Sequence, residues 1–293
     1  MSGIVPWILA GRPKTLPAAV VPVWLGCVLA YELYGTFCIW LALATAASAG
    51  LIQIATNFFN DAIDFGKGSD TEARLGPRRV TASGDLSARA VMIAGVITLL
   101  LACAVAVPMI LERGWPVLAI GLPSLYFSFG YTGGPLPLAY RGLGELFVVL
   151  FFGLVAVAGT VFVQAGAWGG VASVVLGLQV GALSTVLIAV NNLRDRDEDS
   201  STGKRTLAVR FGERFGKVEI VALCVFPYAL GYFWLGREGM EGAFLWPLLA
   251  AVPGIALSVV VAMNRPGSIY NRMLGVAALQ LVLFAGLFHF GVR

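Results

Sequence analysis

The sequence predicts an all-α membrane protein, a bundle of nine transmembrane helices, and three observations support this class. First, 58% of its 293 residues are hydrophobic and only 12% are charged, whereas a soluble domain carries about 25% charged residues. Second, apolar stretches of about 20 residues, the length that crosses a bilayer, recur along the chain. Third, the number of basic residues alternates from loop to loop. The lipid bilayer is therefore an expected partner, and nucleic acid is not.

The apolar stretches define nine predicted spans. They lie near residues 15–34, 38–60, 90–110, 115–131, 144–164, 170–193, 218–235, 243–262 and 273–291. The fourth, which contains Pro123, is the shortest. The 36 glycines agree with closely packed membrane helices, which associate without a hydrophobic force between them. We interpret the whole chain, 1–293, as one integral-membrane domain. Spans 1 to 4 and 5 to 8 form possible tandem halves, and the oligomeric state is not predicted.

The distribution of basic residues orients these spans. The amino-terminal tail and the loops after the second, fourth, sixth and eighth spans carry all of the 20 Lys and Arg residues except Arg113, Arg237 and Arg293. Cytoplasmic loops of membrane proteins are enriched in Lys and Arg, so the amino terminus and these loops are predicted to be cytoplasmic. An odd number of spans then places the carboxyl terminus outside.

The aspartates are confined to the regions after the second and sixth spans. The first region reads NFFNDAIDFGKGSD from Asn57 to Asp70, with Asp85 further along the same loop. The second reads NNLRDRDED from Asn191 to Asp199. Carboxylates near lipid are costly and usually mark function. Both regions emerge on the predicted cytoplasmic side.

Within each region an asparagine and two aspartates recur at helical spacing. The offsets are i, i+4 and i+7 in the first set and i, i+3 and i+7 in the second, so each set shares one helix face. Basic residues follow each set, in RLGPRR (74–79) and GKR (203–205). The two sets are Asn57, Asp61 and Asp64, and Asn192, Asp195 and Asp199.

Two facing pairs of carboxylates suit a divalent metal. Mg²⁺ prefers oxygen ligands, keeps several waters, and is usually held by one or two carboxylates plus substrate phosphates. We predict roughly two or three Mg²⁺ ions bridging a diphosphate, with Arg and Lys neutralising its remaining charge. The predicted ligands are Asp61, Asp64, Asp195 and Asp199. The alternative is that acidic residues here cap helices or lie solvated in loops. We prefer this interpretation for Asp197, Glu198 and Asp85, and Asp70 lies between the two interpretations.

A further constellation, FGYTGGPLPLAYRGLGE, runs from 129 to 145. Tyr131 is a candidate to face a carbocation, because an aromatic face attracts positive charge. An interfacial tyrosine is the alternative for Tyr131 and the preferred interpretation of Tyr140. Arg141 is the only basic residue in its loop and could bind a diphosphate or a substrate carboxylate. Glu145 begins the fifth span, where a salt bridge to Arg141 is its simplest role.

Several motifs together resemble the UbiA superfamily of intramembrane aromatic prenyltransferases, in particular its 1,4-dihydroxy-2-naphthoate branch. They are RPKTL (12–16), QIATNFFND (53–61), KGSDTE (67–72), RLGP (74–77), YTGGP (131–135), YRGLGE (140–145), NNLRD (191–195) and GKRTL (203–207). In much of that superfamily the first acidic motif has a further Asp where this chain has Gly68, which leaves the ligand count of that motif open. Asp70 is the candidate substitute.

This resemblance implies Mg²⁺-dependent transfer of a polyprenyl chain from its diphosphate to 1,4-dihydroxy-2-naphthoate, with loss of CO₂ to give demethylmenaquinone. It also implies a prokaryotic cell membrane, with the active site facing the cytoplasm. We hypothesise that Lys204, Arg205 and Arg79 bind the diphosphate, and that Asn57 and Asn192 support the metal or the diphosphate. Arg141 would bind the acceptor carboxylate or the diphosphate. Tyr131 would stabilise the carbocation.

Two other classes of function compete with this one. Sibling prenyltransferases whose acceptor is 4-hydroxybenzoate, homogentisate or a chlorophyllide would share the metal site, so only the acceptor discriminates between them. A membrane transporter would also have several spans and basic cytoplasmic loops. However, no carboxylate lies in the middle of a predicted span, where coupled carriers often keep one, and no matched pair of broken helices is evident.

Overall fold

The computed structural model describes residues 3–69 and 75–292, and these residues form an all-helical protein without strands. The all-α part of the predicted fold class is therefore confirmed. Within the described residues, eight helical stretches are long and apolar enough to cross a membrane, and the further apolar helix Trp115–Gly130 is shorter. This short helix coincides with the fourth predicted span. The count of nine spans and the side on which each terminus lies stay predictions.

The α-helices are numbered in chain order. They are α1 (Val5–Gly11), α2 (Leu16–Tyr34), α3 (Ile39–Gly66), α4 (Ala88–Arg113), α5 (Trp115–Gly130), α6 (Gly144–Val148), α7 (Ala156–Ala165), α8 (Gly170–Arg194), α9 (Arg196–Ser201), α10 (Leu207–Gly231), α11 (Gly242–Leu245), α12 (Ala251–Met263) and α13 (Tyr270–Gly291). A π-helical segment, Val149–Val155, joins α6 to α7. Short 3-10 turns lie at Pro13–Thr15, Leu138–Tyr140, Tyr232–Gly236 and Trp246–Ala250.

Two helices extend beyond their predicted spans into the regions predicted to be cytoplasmic. α3 continues to Gly66, so Asp61 and Asp64 lie on its last turns and not in the following loop. α10 begins at Leu207, where the Thr206 side chain accepts a hydrogen bond from the Val209 backbone N–H. α10 then bends at Gly212, whose φ of 86° is readily available only to glycine. Hydropathy alone missed both polar extensions.

The largest apolar core surrounds α8, which packs against α2, the π-helical segment, α10 and α13. Fully buried side chains at its centre include Leu25, Leu176 and Ile220. On the outer faces, large apolar side chains such as Trp40 and Leu111 are exposed. Such a surface suits a hydrocarbon environment, because lipid imposes no hydrophobic penalty on exposed apolar groups.

A glycine contact lets the π-helical segment and α8 approach each other closely. A Cβ atom added at Gly153 would overlap the Gly177 carbonyl oxygen and lie 2.7 Å from the Cα of Gly181. A Cβ at Gly181 would lie 2.8 Å from the Val149 carbonyl oxygen. Small residues at such positions let backbones approach closely in membranes. This contact holds the π-helical segment against α8, the helix that ends at the second acidic region.

The end of the bundle opposite the acidic regions is closed by polar contacts. Arg113 donates from Nε to the Val163 carbonyl oxygen at 2.7 Å and from Nη2 to the Gln164 carbonyl oxygen at 2.8 Å. The Gln164 side chain in turn accepts from the Cys38 N–H at 2.7 Å and donates to the Cys38 carbonyl at 3.2 Å. These bonds satisfy backbone groups at the end of α7 and the start of α3.

Candidate active site

A cavity of about 770 Å³ runs lengthwise through the bundle. Along α3 its lining extends from Thr45 to Asp64, which is roughly 28 Å of helix at 1.5 Å per residue. The inner part is lined by apolar side chains of α4, α5 and α7, including Met109 and Val163. The other end is polar and contains all four predicted metal ligands. The cavity therefore suits a ligand with a charged head and a long apolar tail.

The first acidic pair lies at the polar end of α3 and is almost fully buried, with 2% of Asp61 and 3% of Asp64 exposed. Asp61 accepts hydrogen bonds from the Thr81 backbone N–H, at 3.1 Å, and from the Thr81 hydroxyl. Asp64 accepts the Tyr140 hydroxyl at 2.9 Å on one oxygen. Its other oxygen lies 3.6 Å from Nη2 of the buried Arg79.

The second acidic pair lies where α8 passes into α9, and it is also buried. Both Asp195 oxygens accept hydrogen bonds from the guanidinium of Arg194, at 2.7 and 2.6 Å. This two-point contact fixes the carboxylate plane. Asp199 lies one turn further on. By contrast, the Asp197 side chain is 89% exposed and pairs with Arg196, as expected for a solvated residue.

Lys204 connects the two acidic pairs. Its Nζ lies 3.2 Å from an Asp64 oxygen and 3.7 Å from an Asp199 oxygen. One ammonium group thus bridges carboxylates that are far apart in the sequence. The structure brings the two predicted acidic regions and the GKR segment together at the mouth of one cavity.

The donor atoms at this end fit magnesium chemistry. Within residues 3–69 and 75–292, no three His, Cys, Asp or Glu side chains converge to make a protein-only metal site. Mg²⁺ does not need one, because it usually binds one or two carboxylates and completes its shell with water and phosphate oxygens. Four carboxylates and several amide side chains line the polar end. The residues that would hold the metal are Asp61, Asp64, Asp195 and Asp199.

Tyr140 organises the region between the acidic pairs, although the sequence interpretation treated it as an interfacial tyrosine. Besides its bond to Asp64, its hydroxyl shares a 2.8 Å hydrogen bond with Ser69. Lys67 Nζ lies 3.9 Å from the centre of the Tyr140 ring and donates to the Thr132 carbonyl at 2.7 Å. Partial burial lowers the pKa of Lys67, and the Asp64 charge opposes that shift. The segment after α3 is thereby tied to the loop before α6.

The predicted asparagines take separate partners. Asn57 donates to the Gly11 carbonyl at 2.9 Å and to the Thr15 hydroxyl at 3.1 Å, so it fixes the bend between α1 and α2. Arg12 occupies this bend and lines the cavity. Its φ of 49° is the only positive value at a non-glycine position in the described part of the chain. Asn192 donates to Glu145 at 2.7 Å. Glu145 therefore binds this amide, and not Arg141 as its simplest role suggested.

An aromatic wall continues inward from the acidic end. Tyr131 packs against Phe147 with ring centres 5.6 Å apart, and Phe147 stacks on Phe151 at 4.4 Å. Phe127 meets both phenylalanines edge-on. All four rings line the cavity. Tyr131 thus lies where an aromatic face could act on a ligand, as the sequence suggested.

Two predicted site residues lie outside the cavity lining. The side chains of Arg141 and Arg205 are exposed. Their backbone carbonyls instead accept hydrogen bonds from the Arg210 guanidinium, at 2.7 and 3.0 Å. This clamp joins the loop before α6 to the start of α10. Substrate roles for Arg141 and Arg205 stay predictions. Asp70 and Arg74 lie outside the described residues.

Asn191 and Arg12 are cavity residues that the sequence analysis did not select. A signal for Asn191 was present, since it precedes Asp195 by four residues, as Asn57 precedes Asp61. Arg12 belongs to the RPKTL motif, but its spacing gave no reason to place it near the acidic pairs. Tyr140 had no distinguishing signal, because tyrosines at helix ends are common at membrane interfaces.

Comparison with known sequences gives consistent matches over most of the chain. The model of the UbiA prenyltransferase family matches residues 19–287. A 1,4-dihydroxy-2-naphthoate octaprenyltransferase from Mycobacterium tuberculosis is 39% identical over 265 residues, covering 89% of this chain and 84% of that protein. The protein of the same name from Bacillus subtilis is 33% identical over 254 residues, covering 86% of this chain and 79% of that protein.

Comparison with solved structures supports the fold. A UbiA homolog from Archaeoglobus fulgidus, bound to DMAPP and Mg²⁺, superposes with a TM-score of 0.63. The match covers 96% of this chain and 98% of that one, at 15% sequence identity. At this identity the likeness establishes the arrangement of helices and not the chemistry.

Proposed function

Because the chain belongs to the UbiA prenyltransferase family, we propose that it transfers a polyprenyl chain from polyprenyl diphosphate to 1,4-dihydroxy-2-naphthoate. The reaction requires Mg²⁺, releases CO₂ and diphosphate, and yields the reduced, quinol form of demethylmenaquinone. One observation carries the donor half of this proposal. Two acidic pairs, bridged by Lys204, stand at the mouth of a long apolar cavity. The identity of the acceptor is supported by the names of the relatives.

Each part of the donor has a matching region of the protein. Asp61, Asp64, Asp195 and Asp199 would hold Mg²⁺. When bound, the metal supplies charge stabilisation for the departing diphosphate. Lys204 and Arg79 line the same end and would bind phosphate oxygens as the carbon–oxygen bond breaks. The apolar inner part accepts the prenyl tail, which burial keeps out of water.

The aromatic wall protects and positions the reacting carbon. Ionisation of an allylic diphosphate leaves a carbocation that water would trap, so the surrounding surface must be apolar. Tyr131, Phe147 and Phe151 supply such a surface and present ring faces that attract positive charge. The acceptor ring then attacks the prenyl carbon at the position bearing its carboxyl group. Loss of CO₂ restores the aromatic ring.

The proposal also includes the membrane setting. The apolar runs support nine spans, and the placement of Lys and Arg supports a cytoplasmic amino terminus and an active site facing the cytoplasm. The membrane would be that of a prokaryotic cell. The bacterial relatives agree with such a setting. The two halves of the chain, spans 1 to 4 and 5 to 8, would each supply one acidic pair.

An acceptor competition tests the reaction. The protein, in detergent or membranes, receives Mg²⁺, a polyprenyl diphosphate and either 1,4-dihydroxy-2-naphthoate or 4-hydroxybenzoate, and lipid product and CO₂ are followed. We expect prenylated product with CO₂ release from the naphthoate only, and its loss on addition of a chelator. Product from 4-hydroxybenzoate alone would move the chain to a sibling reaction. Donor binding without product from either acceptor would contradict the proposed acceptor.

The substitution Gly144→Ala tests the position of Tyr131. A Cβ at residue 144 would lie 2.8 Å from the Tyr131 hydroxyl oxygen and 3.1 Å from Ile188 Cδ1, so the tyrosine must shift. We expect kcat to fall about 10- to 100-fold, the cost of misplacing a reacting group by about 1 Å. The measurement is prenyl transfer at saturating substrates. Gly275→Ala, where no atom lies within 4 Å, is the control. An unchanged kcat would show that Tyr131 does not act on the reacting carbon.

A further inference from the structure

Four side-chain oxygens of the cavity lining have no hydrogen-bond partner among the residues that the structure describes: Gln53 Oε1, Ser184 Oγ, Glu145 Oε2 and Asn191 Oδ1. The last two belong to residues that Asn192 connects, because Asn192 follows Asn191 on α8 and donates to Glu145. Glu145 is only 5% exposed. A buried carboxylate or amide oxygen without a donor costs free energy, and the cost is larger for a charged group. These atoms therefore point to a ligand that brings hydrogen-bond donors with it.

The geometry of Glu145 fixes which oxygen is available. Its Oε1 accepts the 2.7 Å hydrogen bond from Asn192, and this anchors the carboxylate to α8. The remaining oxygen, Oε2, is left for a donor from the cavity. Asn191 is the neighbour of Asn192 on α8 and also lines the cavity. One carboxylate oxygen and one amide oxygen of the cavity lining are thus left for donors from a ligand.

The surface beside these oxygens suits a flat aromatic ring. Phe147 follows Glu145 by two residues and stacks on Phe151, and Tyr131 packs on Phe147. Aromatic rings bind one another by offset stacking or edge contacts. A ligand with an aromatic body and hydroxyl donors would satisfy both the wall and the two oxygens. A prenyl chain, which has no hydrogen-bond donor, would pack against the aromatic wall but leave the two oxygens without donors.

We propose that Glu145 and Asn191 form the hydroxyl-binding subsite for the aromatic acceptor. Glu145 Oε2 accepts a hydrogen bond from one acceptor hydroxyl, and Asn191 Oδ1 accepts another. The Glu145 charge also repels the acceptor's own carboxylate and turns it away from this wall. This inference rests on the proposed function and adds to it the place and the contacts of the acceptor.

The test compares wild type with Glu145→Gln, using 1,4-dihydroxy-2-naphthoate and its monomethyl ethers as acceptors. In wild type, methylation of the acceptor hydroxyl that contacts Glu145 is expected to raise the acceptor KM about 10- to 100-fold. This factor corresponds to the loss of one hydrogen bond to a charged group. In the variant, Asn192 still needs an acceptor, so the glutamine carbonyl faces it and the NH₂ group faces the cavity. A methyl ether can accept from this NH₂. The preference for hydroxyl over methoxy should therefore fall to about threefold or less.

The same experiment separates this inference from a purely structural role. The KM for the polyprenyl diphosphate should stay within about twofold, because donor binding does not use Glu145. Glu241→Gln changes an exposed glutamate outside the cavity and is the matched control. If Glu145→Gln does not fold, Asn191→Ala gives a second test. In that variant, the preference for a free hydroxyl over a methoxy group at the position that contacts Asn191 is expected to fall about fivefold.

The outcomes are distinct. If wild type forms no product from the naphthoate, the proposed function and the inference both fail. If wild type turns over and Glu145→Gln keeps its full preference for hydroxyl over methoxy, only the inference fails. Equal increases in the KM for the acceptor and the KM for the polyprenyl diphosphate would also overturn the inference, since they would indicate general distortion of the cavity.

Discussion

Asparagine in place of Asp61 is expected to abolish prenyl transfer, by about a thousandfold or more, while the protein stays folded. A loss of this size corresponds to about 4 kcal/mol of transition-state stabilisation. The asparagine carbonyl can still accept the hydrogen bond from the Thr81 backbone N–H, so the end of α3 keeps its contact. What disappears is a negative charge that Mg²⁺ needs. The measurement is the initial rate over a range of Mg²⁺ concentrations.

The matched control for this substitution is Asp197→Asn. Asp197 belongs to the second acidic region, but its side chain is 89% exposed and it does not line the cavity. Its replacement should leave the rate within about twofold, as surface charges usually contribute little. If Asp61→Asn kept more than about a tenth of the wild-type rate at any Mg²⁺ concentration, the assignment of Asp61 to the metal would be wrong.

Valine at Gly153 is expected to have the largest effect on stability. Its Cβ would overlap the Gly177 carbonyl and press on the Gly181 backbone, and neither backbone can move aside as a side chain could. Overpacking of this kind costs about 3 kcal/mol or more, which is a large part of a typical folding free energy. The measurement is the folded fraction by size-exclusion in mild detergent, followed by denaturant titration.

Gly275→Val isolates the effect of packing at residue 153. Both glycines are helical, but a Cβ at residue 275 meets no atom within 4 Å. Both changes carry the same difference in helix propensity, so only the contact with α8 distinguishes them. Equal stability of the two variants would contradict close backbone packing between the π-helical segment and α8.

The sequence predicted the fold class and the two acidic pairs because both leave local signals. Membrane helices show as apolar runs, and aspartates on one helix face show as regular offsets. Asp61, Asp64, Asp195 and Asp199 accordingly line one cavity in the structure. The helix ends were less predictable, since hydropathy falls before α3 ends. Metal binding by these residues, and the number of spans, stay predictions.

The contacts between distant segments could not be predicted in the same way. Tyr140 donates to Asp64, and Lys204 bridges Asp64 and Asp199, but these partners come from different parts of the chain. Neither residue type identifies its partner from local sequence. The side chains of Arg141 and Arg205, for which the sequence suggested an anionic substrate, are exposed outside the cavity lining. Their substrate roles stay predictions, whereas the part played by their carbonyls in joining two loops could not be anticipated from local sequence.

The π-helical segment makes the number of residues between 144 and 156 as important as their identity. A π-helical turn holds one residue more than an α-helical turn and arises as an insertion in an α-helix. Over its seven residues, the segment therefore turns about as far as six residues of a regular α-helix. If all seven residues wound as a regular α-helix, α6 would be rotated by about 100° relative to α7. Glu145 and Phe147 would then turn away from the cavity, although no side chain had changed. A further residue inserted here, which the one π-helical turn does not absorb, is therefore expected to be less tolerated than a conservative substitution.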